Sequence, residues 1–167
     1  RGPAALDPHL IDPGAARVGE HIAARLPELV PGVTNAAPGP FGRDLSADAA
    51  SFNGLVFFHD AQGRAVVVVD YRESGSGKAC EHSVAPETCT ASTLPDGSTL
   101  EIVEPVAVEP GRRMITVRHL RVNGKSVSFS AYTYDAFVPD PSPLVRADYP
   151  LTVAQLTALA TDPTITL

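Results

Sequence analysis

Side chains that could do chemistry are sparse in this sequence. The five histidines, at positions 9, 21, 59, 82 and 119, match no metal-binding or catalytic spacing. His59 stands next to Asp60, but adjacent residues of a strand point to opposite faces, so this pair is not expected to act together. Serines are plentiful, yet no Gly-x-Ser-x-Gly nucleophile elbow occurs. The sequence therefore predicts no catalytic residues and no cofactor, and it favours a protein that is not an enzyme.

Two cysteines, Cys80 and Cys89, flank a segment rich in small and polar residues. A flexible loop of this length can bring two cysteine Cα atoms within the roughly 4.4–6.8 Å that a disulfide requires. The alternatives are two free thiols, or a metal site that adds His82 to the sulfurs, with His59 or Glu81 as fourth ligand. Zinc sites usually take paired ligands at short spacing on both sides, and Cys89 has no such neighbour. We expect the disulfide and no metal, and therefore an extracytoplasmic location.

A glycine-rich segment, Gly75-Ser76-Gly77-Lys78, resembles the end of a phosphate-binding loop. That motif requires a glycine five residues before Gly77 and a hydroxyl after the lysine, but Arg72 and Ala79 stand there. The segment is therefore predicted to be an ordinary flexible loop.

The net charge argues against one class of partner. The chain carries 13 basic and 19 acidic residues, a net charge of −6. Proteins that bind a phosphate backbone usually have the opposite sign. We expect no nucleic-acid partner.

The length of 167 residues and a hydrophobic content of 44% suit one domain with a substantial core. Residues 1–11 carry little pattern and are predicted to be a tether, which leaves 12–167 as a single domain. No run of 18 apolar residues occurs, so no segment is expected to span a membrane. The chain begins at Arg1 without a signal-like segment. We therefore expect membrane association only through an N-terminal anchor that precedes it.

Two helices are predicted, one near each end of the chain. The first begins at Asp12-Pro13, an acidic N-cap followed by proline, and Pro27 is expected to end or kink it. The second begins at a capping box formed by Thr152 and Gln155, and Leu156 lies at the centre of its apolar stripe.

Between the helices the sequence predicts a linker, Val33 to Ser51, and then a β region. Strands are predicted at Phe52 to His59, Arg64 to Tyr71, Thr88 to Leu94, Ser98 to Val103, and on both sides of Asn123-Gly124. We expect three-residue hairpin loops that end in a left-handed glycine. At 122–124 such a loop places Val117 opposite Phe129 and keeps the apolar residues on one face. The predicted fold class is α+β: an antiparallel β-meander of five to six strands with an N-terminal and a C-terminal helix.

One face of the last predicted hairpin carries residues that suit protein recognition. The residues assigned to partner binding are Arg118, Ser128, Ser130, Tyr132 and Tyr134. Tyrosine supplies rigid contact area, while serine and arginine supply adaptable hydrogen bonds. The alternative is a solvated sheet face, or one that the N-terminal helix covers.

Four short segments follow one another along the chain. They are Leu26 to Gly32, the cysteine loop that leads into Leu94-Pro95-Asp96-Gly97-Ser98, Asn123-Gly124-Lys125, and Leu151-Thr152-x-x-Gln155-Leu156. Together they resemble the extracytoplasmic portions of actinobacterial, Streptomyces-like membrane proteins and lipoproteins. Some members of that group regulate envelope-stress signalling. The resemblance implies a place in the cell envelope and a regulatory role, and it carries over no catalytic residue.

The sequence thus predicts a non-enzymatic extracytoplasmic domain of a cell-envelope protein that binds a protein partner and regulates signalling. The alternatives are a secreted hydrolase and a module that binds cell-wall glycan or a small ligand. A deep pocket that joins a histidine with a serine or carboxylate would favour the hydrolase. A groove lined by Tyr71, Tyr132 or Tyr134 would favour the ligand-binding module.

Overall fold

The described residues form one antiparallel sheet with both described helices on one of its faces. The computed structural model describes residues 13–43, 51–74, 77–81, 88–105, 109–137 and 145–166, with only the backbone of Arg43. The elements are α1 (Pro13–Leu29), β1 (Thr34–Arg43), β2 (Ser51–Asp60), β3 (Gly63–Arg72), a 3-10 turn (Ala79–Glu81), β4 (Thr88–Thr93), β5 (Thr99–Glu104), β6 (Met114–Leu120), β7 (Ser126–Tyr132) and α2 (Val153–Ala160). The predicted tether, residues 1–11, lies outside the described residues. Neither described helix has the length and hydropathy needed to cross a membrane.

The sheet has seven strands in the order β1-β2-β3-β7-β6-β5-β4 among the described residues. Strands β1 to β3 and β4 to β7 are two consecutive meanders, and they join where β7 returns to pair with β3, with Val69 opposite Phe129. The α+β class is therefore confirmed. The prediction of five to six strands in one meander is wrong, and β1 is the strand that it omits.

β1 lies within the segment that was predicted to be a linker. Pro38 and Pro40 concealed it, because proline cannot donate to a sheet ladder and argues against a central strand. β1 is an edge strand, and its pairing with β2 shifts register between Thr34 and Ala37 and again between Pro38 and Phe41. An irregular edge tolerates the missing N–H groups.

The core lies between the sheet and the two helices. α1 packs on β1 and β2, and α2 packs on β6 and β7. The largest fully buried aromatic residues are Tyr71, Phe52, Phe58 and Phe129. Phe41 of β1 reaches under α1 at Gly19, where a Cβ atom would lie 2.8 Å from the ring. A glycine is therefore required for this close approach.

The sequence predicts the start of α2 correctly, but it does not predict the end of α1. The capping box of Thr152 and Gln155 at α2 is confirmed. Pro27, however, does not end α1, which continues to Leu29. Proline in the last turn removes only one internal hydrogen bond, and the final carbonyl groups find other donors. The N–H of Val30 donates to Leu26 O (2.8 Å), and Gln155 Nε2 donates to Leu29 O (2.9 Å).

Two of the three predicted hairpin loops are confirmed. At 122–124 the loop places Val117 opposite Phe129, and Gly124 has a φ of 86°. The loop at 95–97 has the same design, with Gly97 also at 86°. Between β2 and β3 the prediction is wrong, because Asp60 pairs directly with Gly63 and leaves a two-residue turn. The Asp60 carboxylate tightens this turn by accepting the N–H of Gln62 (2.9 Å).

Candidate functional site

The predicted recognition residues lie on the sheet face opposite α1 and α2, which we call the open face. One cross-strand row of this face contains Leu55, Val68, Ser130, Thr116, Val103 and Cys89, and the next contains Asn53, Asp70, Ser128, Arg118, Glu101 and Ala91. Neither described helix lies on this face, because α1 packs on the core side of β1 and β2. The alternative that α1 covers it is therefore wrong.

Aromatic residues gather at one end of the open face. The ring of Tyr132 meets Tyr134 edge to face at 5.7 Å and Phe137 at 6.3 Å. Phe57 of β2 also lies at this end, and its backbone pairs with that of Val66 in β3. We call Phe57, Tyr132, Tyr134 and Phe137 the aromatic end. Burial raises the pKa of Tyr132, while Phe137 is 46% exposed.

Arginines lie over two of these rings. The guanidinium of Arg64 is 4.1 Å from the centre of the Phe57 ring, and that of Arg112 is 5.4 Å from the Tyr134 ring. Arg64 also pairs with Asp135, with Nε 3.1 Å from Oδ2. Such contacts hold the rings in place, so the aromatic end is ordered before any partner binds.

Arg118 lies on the predicted face, but other groups of the chain already engage its side chain. Its side chain is only 17% exposed, it donates to Gly77 O (2.7 Å), and it pairs with Glu101 (3.4 Å). Glu101 is fully buried and also accepts the N–H groups of Ala79 and Cys80, at 3.1 and 2.8 Å. Arg118 and Glu101 therefore hold the cysteine-bearing loop on the sheet.

The other predicted recognition residues share the open face. Ser130 hydrogen bonds to Thr116 (2.7 Å), and Ser128 lies half-buried opposite Arg118. Tyr132 continues the same face, and Tyr134 contacts it beyond the end of β7. That this surface binds a partner stays a prediction.

The Cys80–Cys89 disulfide is confirmed, with an S–S distance of 2.03 Å and Cα atoms 5.3 Å apart. Within the described ranges, Cys80, Cys89 and Glu101 are a group of three whose ligand atoms lie within 4.8 Å of one another. The sulfurs are bonded to each other, so neither offers a thiolate to a metal. His82, the other candidate ligand, lies outside the described residues.

We expect the purified chain to be two hydrogens lighter than its sequence mass, and to react with no thiol-selective alkylating agent until it is reduced. Reduction should lower the free energy of unfolding by about 2.5–3 kcal/mol, because the bridge closes a short loop in the unfolded chain. Intact mass and urea unfolding with and without reductant measure both effects. Two thiols that alkylate without reduction would contradict the bond.

One histidine does lie beside a serine and a carboxylate. His119 Nε2 is 2.9 Å from Ser98 Oγ, and the Ser98 hydroxyl donates to Asp96 (2.5 Å), which lowers the pKa of Asp96. The chain of contacts runs Asp96–Ser98–His119, so the serine gives its hydrogen to the aspartate rather than to a histidine base. Ser98 and His119 are only 2% and 7% exposed. This arrangement anchors the 95–97 hairpin and lacks the geometry of an activated nucleophile.

His119 predicts a pH dependence of stability. Burial holds the pKa of His119 below its ordinary value, the nearby Arg121 lowers it further, and Asp96 and the Ala160 backbone act in the opposite direction. The unfolded chain therefore binds more protons than the folded one just below pH ~6.5, and stability falls as the pH decreases through that value.

We expect thermal midpoints to decrease between about pH 7.5 and 5. His119→Gln should flatten this slope, while the exposed His59→Gln should keep it. Differential scanning calorimetry across the range measures it. An unchanged slope in His119→Gln would assign the effect to other groups.

A second histidine cluster connects α1 with the segment that follows α2. His21 Nε2 lies 2.7 Å from Asp162 Oδ2 and 2.8 Å from Thr164 Oγ1, at a shallow open cleft that Arg25 also lines. The same nitrogen faces both partners, so the cluster is not a triad in which opposite ring nitrogens serve base and orienting roles. His21 and Asp162 lie 141 positions apart in sequence, and no local pattern could have predicted their contact.

Comparison with known proteins adds no identity to this geometry. No protein-family model, no curated protein and no solved structure matches the chain.

Proposed function

We propose that this chain is a non-enzymatic extracytoplasmic domain that binds a protein partner of the cell envelope through the aromatic end of the open face, in a regulatory role. The observation that carries the proposal is an ordered group of rings on a face that neither described helix covers. Phe57, Tyr132, Tyr134 and Phe137 lie there with Arg64 and Arg112.

The chemistry of this surface suits a protein partner. Aromatic residues, methionine and arginine are enriched where protein interfaces bury most surface, and here Met114 lies opposite Tyr132. Polar Ser128 and Ser130 continue the face, as in the polar rim of an interface. The rings are already fixed, so binding would immobilise few side chains.

The two alternatives receive less support. Of the three tyrosines that could line a groove for glycan or a small ligand, Tyr71 is fully buried in the core, stacked on Phe52. Tyr132 and Tyr134 meet edge to face on the open face. For a hydrolase, the Ser98–His119 contact is buried and the hydroxyl hydrogen is directed to Asp96. An extracytoplasmic location agrees with the disulfide, since such bonds persist in oxidising compartments.

A site-specific photo-cross-linker tests the proposal in envelopes of the source organism. Placed at Ser128, on the same face as the aromatic end and four residues from Tyr132, it should give one protein adduct of defined mass. The matched control places the same cross-linker at Val122, an exposed loop position. Phe137→Ser should remove the Ser128 adduct while the thermal midpoint stays within error. An adduct that survives Phe137→Ser, that forms equally from position 122, or that contains glycan instead of protein would contradict the proposal.

A further inference from the structure

The two edges of the sheet are protected to very different degrees. β1 carries Pro38 and Pro40 and two register shifts, which are devices that prevent another strand from pairing. β4, at the opposite edge, reads Thr-Cys-Thr-Ala-Ser-Thr and pairs with β5 without interruption from Thr88 to Thr93. It has no charged residue and no proline, and every residue except Cys89 is exposed.

The register shows which backbone groups of β4 are free to pair. The N–H of Leu94 donates to Ser98 O (2.8 Å), so this pair is hydrogen bonded. Hydrogen-bonded pairs alternate along an antiparallel ladder, so Thr90 and Ser92 direct their backbone groups toward β5. The N–H and C=O groups of Cys89, Ala91 and Thr93 therefore point outward. Within the described part of the chain, no strand pairs with this side of β4.

A small cleft lies beside this edge on the open face. It has a volume of about 190 Å³, and Ala91 and Thr93 form one wall. Lys78 and Glu81 at its rim pair with each other (3.5 Å), and Glu101 within it pairs with Arg118. Its volume is below the roughly 300–1,000 Å³ of small-molecule sites, so it fits one side chain. Because its charges are paired, that side chain would be uncharged.

We propose that β4 accepts an extended, uncharged segment of a partner protein as an eighth strand, with one side chain of that segment in the cleft. Main-chain hydrogen bonds to Cys89, Ala91 and Thr93 would supply affinity, and the cleft would supply selectivity. The proposal does not depend on the aromatic end, which lies on β2, at the end of β7 and in the segment that follows β7.

A partner strand fits this edge better than a second copy of the chain does. In a β4–β4 pair, the side chains offered to the cleft are those of Ala91 and Thr93 and the disulfide-bound Cys89, which are too small or too constrained to fill it.

Amide hydrogen exchange followed by NMR tests the free edge. In dilute protein, Cys89, Ala91 and Thr93 should exchange much faster than their neighbours Thr90 and Ser92. Slow exchange of the first three at low concentration would overturn the proposal, because the edge would already be covered. Protection that increases with protein concentration would identify a second copy as the occupant and overturn the partner strand.

Selection of displayed random ten-residue linear peptides against the chain tests the occupant. Selected peptides should be uncharged at their centre and should slow exchange at Cys89, Ala91 and Thr93. Ala91→Pro removes only an outward N–H, and loss of that hydrogen bond should weaken binding by about tenfold. Val153→Ala, on the exposed side of α2 across the sheet, is the control, with unchanged binding. Failure to select any peptide, or equal binding to Ala91→Pro, would overturn the proposal.

Discussion

Arg118→Ala is expected to lower the free energy of unfolding by about 3–5 kcal/mol, the cost of removing one partner of a buried ion pair. The reason is that Glu101 is fully buried and the change removes the guanidinium that pairs with its carboxylate. The same change removes the donor to Gly77 O and so loosens the cysteine-bearing loop. Guanidinium chloride unfolding monitored by circular dichroism measures the loss.

The control for this variant also removes the carboxylate of Glu101. Glu101→Gln combined with Arg118→Ala should be more stable than Arg118→Ala alone, because no buried carboxylate is left unpaired. A loss below about 1 kcal/mol in Arg118→Ala, the size typical of exposed pairs, would show that the guanidinium is available to a partner. Partner-binding studies of this face should therefore vary Tyr132 or Phe137 and leave Arg118 intact.

Leu156→Ala is expected to lower the free energy of unfolding by about 2–4 kcal/mol. Leu156 is fully buried where α2 docks on β6 and β7, and truncation would leave a cavity between helix and sheet. Val153→Ala, on the exposed side of the same helix, should change stability by less than about 0.5 kcal/mol. Urea unfolding compares the two. Equal effects would mean that α2 does not dock through Leu156.

Features with local causes were predictable from sequence. The register of the last hairpin follows from matching Val117 with Phe129 across a glycine-ended loop, and the capping box follows from Thr152 and Gln155. β1 was not predictable, because Pro38 and Pro40 remove the alternation by which strands are recognised. Such a strand is stabilised by its tertiary contacts, here the contact of its Phe41 with α1 at Gly19.

The candidate site was also predictable from sequence only in part. Alternation along β7 is sufficient to place Ser128, Ser130 and Tyr132 on one face. It does not reveal that Arg118 is engaged by Glu101, because that pair depends on how β5 packs beside β6. Contacts between distant segments carry no local signature in a sequence.

The same limit applies to the salt bridge between Asp60 and Arg146. Arg146 donates to both carboxylate oxygens of Asp60, at 2.6 and 2.9 Å, and helps to lower the pKa of Asp60. The two residues lie 86 positions apart, so the sequence could assign Asp60 only to its turn.

The junction of β3 with β7 has a consequence for how the chain folds. Each of the two meanders pairs neighbours in sequence, so each can form from contacts between nearby residues. The junction pairs Val69 with Phe129, which lie 60 residues apart. Its formation therefore closes a long loop, and closing that loop costs conformational entropy. Folding speed in this domain should therefore be set by one strand pair, and changes at that junction should alter the folding rate more than changes at the hairpin tips do.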